Sequence, residues 1–597
     1  MIHIQNKTDC CGCNACGDIC PKNAITFRTD PEGFWYPEVD PCKCIECGLC
    51  EKVCPVLNVK ELKKNDLAEP VCYAAEHRNL EVIFDSTSGG VFSAMAEILY
   101  RSGGYVGGAV FNEDFSVSHY ISADKGDLPR LRSSKYLQSS LEGFYARVGA
   151  LVKAGEQVLV CGTPCQMAAL RAFLGKDYDN LLIADFICRG INSPKVWQKY
   201  LKSFEERYGS PVVYAKAKSK EYGWRNLTQK VILADGRHLY ETLEQSNFTK
   251  GYLRTNVYCR PSCYDCKFKG FPRIADITLA DFWGIEKVDR SMEKNLGTSL
   301  VLLNSQKGVR FFERFKARLH CFPVAFDSIL AGNPALTRPL DPPRVDRDQF
   351  FRDLDAMSFT QLADKYIDTP PSGTKYRLKM FLKRCYRMAD TLLRPSTATI
   401  KTLRHSKLRD IFRGDYLLVG RHAATDVAKS ATLDVHGTFW FGARRIKGSK
   451  LESRLLVEDG ATLATEGPVK LFYGADIEVF RGAKLVLKGG IAANTGFTVV
   501  CGDSIEIGKD VQIGRGVTIR DNHGGHYLNR AGFKDTRPVV IGDKVWLCEG
   551  CTIMPGVKVG EGAIVGAHAF VTTNVPAHAM VSGNPAVVVD EDILWKY

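Results

Sequence analysis

The chain has 597 residues, is 45% hydrophobic and 25% charged, and carries a formal charge of +13 and 22 cysteines. At roughly 150 residues per domain this length exceeds one compact fold and suggests about four, and the composition excludes a largely disordered or fibrous chain. No apolar run approaches the roughly 20 residues that cross a bilayer, and the start MIHIQNKTDC lacks the basic and apolar regions of a secretory signal, so the cysteines are expected in the cytoplasm as metal or redox groups.

Ten cysteines precede residue 55, and two sets share one spacing: Cys10-x2-Cys13-x2-Cys16-x3-Cys20-Pro21 and Cys44-x2-Cys47-x2-Cys50-x3-Cys54-Pro55. A pair of zinc knuckles, the alternative, has no use for a third cysteine at this step or for the following proline. Residues 1–58 resemble the two-cluster ferredoxin domains of bacteria, in which the fourth cysteine of each run serves the other cluster. By that rule Cys10, Cys13, Cys16 and Cys54 hold one [4Fe–4S] cluster, and Cys44, Cys47, Cys50 and Cys20 hold a second. Cys11 and Cys42 are left over.

From about Val71 to Pro370 strand-like apolar runs alternate with helical patterns, which suggests α/β organisation. Ser88-Gly89-Gly90 precedes a helical stretch, and small residues there expose N–H groups suited to a phosphate, although an ordinary turn would read the same way. A buried strand at Val158–Val160 runs into Cys161-Gly-Thr-Pro-Cys165-Gln166, and another, Leu181–Ile187, ends at Cys188-Arg-Gly. Cys259-x3-Cys263-x2-Cys266 and the block DITLADFWG follow. These cysteines either converge on a third iron–sulfur site or are separate buried thiols.

SGG, GTPCQ, CRG, RPSCYDC and DITLADFWG, in this order after a ferredoxin segment, resemble the beta-subunit family of coenzyme F-420 hydrogenases and dehydrogenases over about residues 1–330. The resemblance implies FAD, iron–sulfur clusters and electron transfer with a partner protein or reduced carrier, but not a particular substrate. It makes Ser88, Gly89, Gly90, Lys135, Thr163 and Gln166 flavin-site candidates. Cys165, Cys188, Cys263 and Cys266 become candidate ligands of a third [4Fe–4S] cluster, with Cys259 as a competitor. The Cys-x3-Cys-x2-Cys spacing also occurs in radical SAM enzymes, but there it lies early in an α/β barrel, not after a complete redox region.

Residues 375–413 contain twelve Lys or Arg against Asp390 and Asp410, a net +10. Leu378, Phe381, Leu382, Cys385, Met388, Ala389 and Leu392 recur at helical spacing, so one face is apolar and the other cationic. This predicts contact with an anionic membrane surface, or packing against a neighbouring domain, and not nucleic-acid binding, because no stacking or reading motif accompanies the charge.

Beyond residue 415 small aliphatics recur every six residues: Ile507, Ile513 and Ile519, then Ile541, Leu547, Ile553, Val559, Val565 and Val571. This period predicts a parallel β-helix with the aliphatics inward and Gly, Asp or Asn at the corners. Looser units at Val457–Leu463 and Val479–Leu485 suggest irregular earlier coils. The phase breaks between Ile519 and Ile541, where a loop begins Arg520-Asp521-Asn522-His523-Gly-Gly-His526. His523 and His526 are candidate bases for moving a hydroxyl proton during attack on a thioester, with Asp521 as an orienting group.

The run VIGDKVWLCEGCTIMPGVKVGEGAIVGAHAFV and the closing Val581-Ser-Gly-Asn-Pro-Ala586 resemble the hexapeptide-repeat O-acetyltransferases of sugars and polysaccharides. That resemblance implies a left-handed β-helix, a homotrimer, a sugar or glycan acceptor, and acetyl-CoA contacting Gly566, Ala567 and Asn584. The expected organisation is a ferredoxin domain (1–60), a flavin and iron–sulfur α/β domain (61–370), a basic connector (371–414) and an acyltransferase domain (415–597). The expected activity is a bifunctional oxidoreductase and O-acetyltransferase of envelope glycan biosynthesis, cytoplasmic or peripheral to the inner membrane. The alternative is that one half is a scaffold: a prism that trimerises the reductase, or a reductase relic that tethers the transferase.

Overall fold

The computed structural model describes the chain except residues 63, 64, 368–380, 383, 387, 390–395, 447, 527–531, 594, 596 and 597. Two compact units divide it, Met1–Pro370 and Pro371–Tyr597.

The first unit opens with two cysteine loops of matching backbone. Gly12 and Glu46 take left-handed conformations (φ 69° and 53°) one residue before Cys13 and Cys47, and Asn14 and Gly48 do so one residue after them (φ 65° and 71°). Each loop then enters a one-turn helix, Ala15–Asp18 or Leu49–Lys52. Glycine and asparagine enter this region at low cost, which is why a tight thiol-bearing loop uses them. An antiparallel hairpin, Ile25–Thr29 and Trp35–Val39, lies between the loops.

A nine-stranded mixed sheet follows. At its centre Tyr105–Phe111, Val158–Gly162, Leu181–Phe186 and Ile277–Asp281 run parallel, with antiparallel strands added on both flanks. Both faces are covered, so alternate residues of one strand enter different cores. Leu159, Leu182 and Ala184 pack with the helices Val91–Arg101 and Gln306–Phe315, while Val158, Val160, Leu181 and Ile183 pack with Phe144–Lys153 and Pro164–Leu174. That explains the continuous apolar runs in the sequence. A three-stranded antiparallel sheet, Val212–Ser219, Thr228–Leu233 and His238–Glu241, forms a further layer with the helix Pro194–Tyr208.

In the second unit, three sheets of nine, seven and six strands are built from parallel neighbours, apart from a final antiparallel hairpin. Ile513, Leu547 and Val565 align across coils, as do Ile519, Ile553 and Val571, and Ile507, Ile541 and Val559. All nine are at most 4% exposed. The earlier coils, Val457 to Val479 to Cys501, are longer, as the looser repeat implies.

Of the predicted basic amphipathic stretch, residues 375–380, 383, 387 and 390–395, including Leu378 and Leu392, lie outside the described residues. Of the remainder, Met388 packs against Ile411, Tyr416 and Leu418, and Phe381 meets Phe412 edge to face, while Phe381 and Leu382 stay 54% and 57% exposed. The helices Ser396–His405 and Leu408–Arg413 join the first coil: Thr402 and Ser406 hydroxyls accept the backbone N–H groups of Val419 and Leu417. The connector thus begins the prism as well as preceding it.

Because the prism is one continuous core of stacked aliphatics, a hole in one coil is felt by its neighbours. Ile553→Ala should cost roughly 2–5 kcal/mol of local stability. Hydrogen exchange should register this across the flanking coils 512–571 and leave the amides of the central sheet of the first unit unchanged.

Candidate functional site

Cys10, Cys13, Cys16 and Cys54 gather in the first unit as one set. Burial raises the Cys16 thiol far above its ordinary range, and Cys13, Cys10 and Cys54 raise it further. Burial and the neighbouring Cys13 and Cys10 likewise push Cys54 up to about 11. Cys20, Cys44, Cys47 and Cys50 line a second small cavity with Pro21 and Gly48. Backbone N–H groups of Ala24 and Glu46 donate to the sulfurs of Cys20 and Cys44. Each set therefore draws its fourth cysteine from the other run. Among the described residues no three His, Cys, Asp or Glu side chains are arranged around a single metal ion. In the first set the thiols of Cys10, Cys16 and Cys54 are raised by burial and by neighbouring cysteines, which fits a polynuclear iron cluster, whose iron supplies the positive charge they lack.

A third set forms where two central strands end. Cys165, Cys188, Cys263 and Cys266 line one pocket, and Cys11 lines it with them. Cys188 is raised by burial and by Cys263, Cys165 and Cys266. Cys259 is not in this lining: it is fully buried and donates its S–H to Asn192 Oδ1 at 3.4 Å. The sequence left Cys11 unassigned, yet it lies within thiol hydrogen-bond reach of both Cys13 and Cys165. It pulls the Cys165 thiol below its ordinary range.

Beside this pocket lies a cavity of about 360 Å³, a size suited to a cofactor. Ser88, Gly90, Lys135, Thr163 and Gln166 line it; Gly89 does not. Gly89 instead packs into the sheet, its N–H donating to Ser299 Oγ at 2.8 Å, and a Cβ there would stand 2.3 Å from the Ala75 carbonyl oxygen. Its role is close packing that lets Gly90 (φ 83°) start the helix Val91–Arg101 at the cavity wall. Thr163 and Gln166 form the reciprocal cap of Pro164–Leu174, with Gln166 Oε1 accepting the Thr163 N–H at 2.9 Å. Thr163, Cys188, Arg189, Gly190 and Ile191 belong to both the thiol pocket and the cavity.

Three groups of this cavity were not singled out in the sequence. His119 accepts or donates at Nδ1 with Ser139 Oγ (2.7 Å), and burial lowers its pKa to about 4, so the ring is neutral at pH 7. Lys218 is paired with Asp281 at 2.7 Å, and Trp283 stacks on Trp224 with centroids 4.4 Å apart. The Trp224 indole N–H donates to Asp281, and the Lys218 ammonium lies 5.0 Å from the Trp283 ring. Asp281 and Trp283 stand inside DITLADFWG, which was the available signal. Burial lowers the Lys135 pKa to about 7, with Lys216 adding to the effect and Asp85 opposing it.

In the second unit Asp521 does not orient a histidine. It is fully buried, and its carboxylate accepts the N–H groups of Gly502 (2.6 Å) and Asp503 (2.8 Å) and the Asn522 amide. Both oxygens are engaged in closing the preceding coil at its corner, which corrects the sequence expectation. His523 is half-buried, its N–H bonded to the Asp535 carbonyl oxygen and its ring beside Phe533, whereas His526 is exposed. Gly566 packs under Val581 and Ser582, Ala567 is exposed, and Asn584 stands exposed at the turn between Met580–Gly583 and Ala586–Asp590.

Three family models match. Residues 9–58 match the 4Fe-4S dicluster domain, residues 155–322 the C terminus of the coenzyme F420 hydrogenase/dehydrogenase beta subunit, and residues 538–573 the bacterial transferase hexapeptide. Galactoside O-acetyltransferase of Escherichia coli K12 is 29% identical over 147 residues, 24% of this chain and 68% of that protein. The putative lipopolysaccharide biosynthesis O-acetyl transferase WbbJ of the same strain is 26% identical over 138 residues, 21% of this chain and 70% of that protein. A chain of the F420-reducing [NiFe] hydrogenase complex from Methanosarcina barkeri has 17% identity and a TM-score of 0.31, covering 54% of this chain and 96% of that one. The chain thus joins an iron–sulfur region and an F420-hydrogenase-like region to an acetyltransferase-like region.

The lowered Lys135 pKa has a pH signature. Between about 7 and its unfolded value of 10.5, the unfolded chain holds a proton that the folded chain has lost. Stability contributed by this group therefore rises with pH through that window and is flat below it. The melting temperature of the cofactor-free protein relative to Lys135→Met should shift in favour of the wild type from pH 7 to pH 9.5.

Proposed function

We propose that the chain is a bifunctional enzyme, an iron–sulfur flavoprotein oxidoreductase fused to an acetyl-CoA-dependent O-acetyltransferase acting on a sugar or polysaccharide precursor of envelope glycan. The observation that carries the redox half is the wall shared by the thiol pocket and the 360 Å³ cavity, Thr163, Cys188, Arg189, Gly190 and Ile191.

A [4Fe–4S] cluster supplies one-electron steps, and a flavin joins these to two-electron chemistry. Within this reading the Cys20, Cys44, Cys47 and Cys50 set receives electrons from a carrier protein, because Cys47 is exposed while Cys13, Cys16 and Cys54 are buried. Cys11 links the Cys10, Cys13, Cys16 and Cys54 set to the Cys165, Cys188, Cys263 and Cys266 set. Ser88, Gly90 and Lys135 would hold the anionic part of FAD at the start of Val91–Arg101, where backbone N–H groups favour phosphate. Neutral His119 and the Lys218–Asp281 pair would meet the reacting end or its acceptor.

In the prism, His523 Nε2 or Nδ1 would take the proton of a sugar hydroxyl as its oxygen attacks the thioester carbon. Acetyl passes to the oxygen and the CoA thiol leaves with the proton. Half-buried His523 suits this base better than exposed His526, since partial desolvation strengthens its contact with substrate. Asp521 supports the loop by fixing the coil below it. The names of the two Escherichia coli relatives favour a sugar acceptor. Homotrimers, with acetyl-CoA reaching Gly566, Ala567 and Asn584, complete the reading. The +10 segment 375–413 would hold the protein reversibly at the cytoplasmic membrane surface.

Anaerobic purification should yield about twelve irons per chain, four for each of three cubanes, with FAD. About eight irons without flavin would overturn the redox half beyond the ferredoxin region. In acetyl transfer from acetyl-CoA to galactosides, His523→Ala should lose about 10²–10⁴-fold in kcat, and His526→Ala far less. Indifference to both substitutions would make the prism a trimerisation scaffold.

A further inference from the structure

Arg260 is fully buried, one residue after Cys259 and three before Cys263. Its guanidinium points back to the first cysteine loop. Nε donates to the Cys10 carbonyl at 2.9 Å, Nη1 to Gln138 Oε1 at 2.8 Å, and Nη2 to the Trp35 carbonyl at 3.1 Å and to Cys10 Sγ at 3.6 Å. Tyr36 lies under it, 4.3 Å from ring centroid to Cζ. Gly12 makes the approach possible: a Cβ there would stand 2.4 Å from Gln138 Nε2 and 2.9 Å from the guanidinium.

Among the described residues no carboxylate pairs with Arg260; the titratable groups that act on it are those of Cys10, Tyr36, Cys11 and Cys263. A buried cation without a counter-ion is strongly unfavourable, so the fold implies an anion here, and the thiolates of the Cys10, Cys13, Cys16 and Cys54 set are the anionic group in reach. The other ferredoxin set has no matching buried cation among the described residues. The Met1 ammonium near Cys44 and Cys50 is exposed and paired with Glu51 at 3.0 Å.

We propose that Arg260 is the buried counter-cation of the cluster at Cys10, Cys13, Cys16 and Cys54, and that it raises the reduction potential of that cluster above that of the cluster at Cys20, Cys44, Cys47 and Cys50. This rests on the reading of both sets as [4Fe–4S] ligands. Reduction adds one negative charge. Burial alone disfavours that added charge and would make the inner cluster the poorer acceptor; a guanidinium on its ligand sulfur reverses the order. With both clusters held by these cysteines, one electron passing inward would oxidise the outer cluster and reduce the inner one, with no proton moved. Arg260 is a positioning residue for direction: it makes electron flow from the surface inward downhill. Its place between Cys10 and Cys263 puts the charge on the path to the third set.

The test is an electron paramagnetic resonance redox titration of the full-length protein, purified anaerobically and reduced with dithionite. Cys47→Ser identifies the outer signal. Arg260→Gln should shift the inner cluster's equilibrium toward the oxidised form by about tenfold, about 59 mV for a one-electron couple, and leave the outer signal in place. Arg260→Lys, which keeps the charge, should retain most of the wild-type potential. If Arg260→Gln does not fold with full iron, Gln138→Glu decides: a carboxylate on the same guanidinium should lower the inner potential in the same direction. Unchanged inner potentials at full iron, or equal shifts of both clusters, would overturn the proposal. Fewer than about eight irons in the wild type would instead overturn the reading of the two sets as cluster ligands.

Discussion

The central parallel strands Val158–Gly162 and Leu181–Phe186 are covered on both faces, and the chemistry of the first unit depends on that constraint. A doubly covered strand has room for few polar groups along its length: Asp185 is one, held by Arg273 and Thr278 in a buried network, and others left unpaired there would be costly. They are displaced to the strand ends. There Thr163 and Cys165 leave one strand and Cys188 to Ile191 leave the next, so adjacent strands make one wall with thiols on one side and the 360 Å³ cavity on the other. The short separation between the proposed cluster and flavin sites is a consequence of strand adjacency.

The prism answers to a different constraint, the need to stack identical coils. A corner is closed either by backbone alone or by a side chain that satisfies the turn below. Asp521 is such a closure, holding the amides of Gly502 and Asp503. A loop can leave the prism after residue 521 because this carboxylate completes the coil beneath it, and the histidines sit on what leaves. The same bond that makes the loop tolerable turns Asp521 away from the histidines; the His523 backbone is held by Asp535 and its ring lies beside Phe533.

What was legible in the sequence follows from range. Cysteine spacing and the six-residue period are local constraints, and the structure gathers both ferredoxin sets and buries all nine inward aliphatics. Ser88, Gly90, Thr163 and Gln166 reach one cavity because SGG and GTPCQ sit at helix starts, and Lys135, in no motif, reaches it from the loop between Leu128–Leu131 and Ser139–Ser140. Asp521 and Gly89 both turn into the framework, a direction that residue type and neighbourhood in sequence do not give. Cys11, His119, Lys218 and Arg260 were missed because their roles come from partners far along the chain. Arg260 meets Cys10 across 250 positions, and no spacing rule connects them.

The charge of +13 illustrates the same limit. Its concentration in residues 375–413 suggested a single cationic face, yet the structure uses part of it internally. Lys401 donates to the carbonyls of Arg421 and Ala423, and the Arg384 guanidinium lies over Phe412. A lysine whose ammonium holds two carbonyls has one N–H left to offer a lipid headgroup, and each cation at an anionic surface is worth only about 1 kcal/mol. The attraction that the proposed membrane contact could draw on is therefore less than +10 implies. Such a contact would draw on the exposed Phe381 and Leu382 as well as on charge.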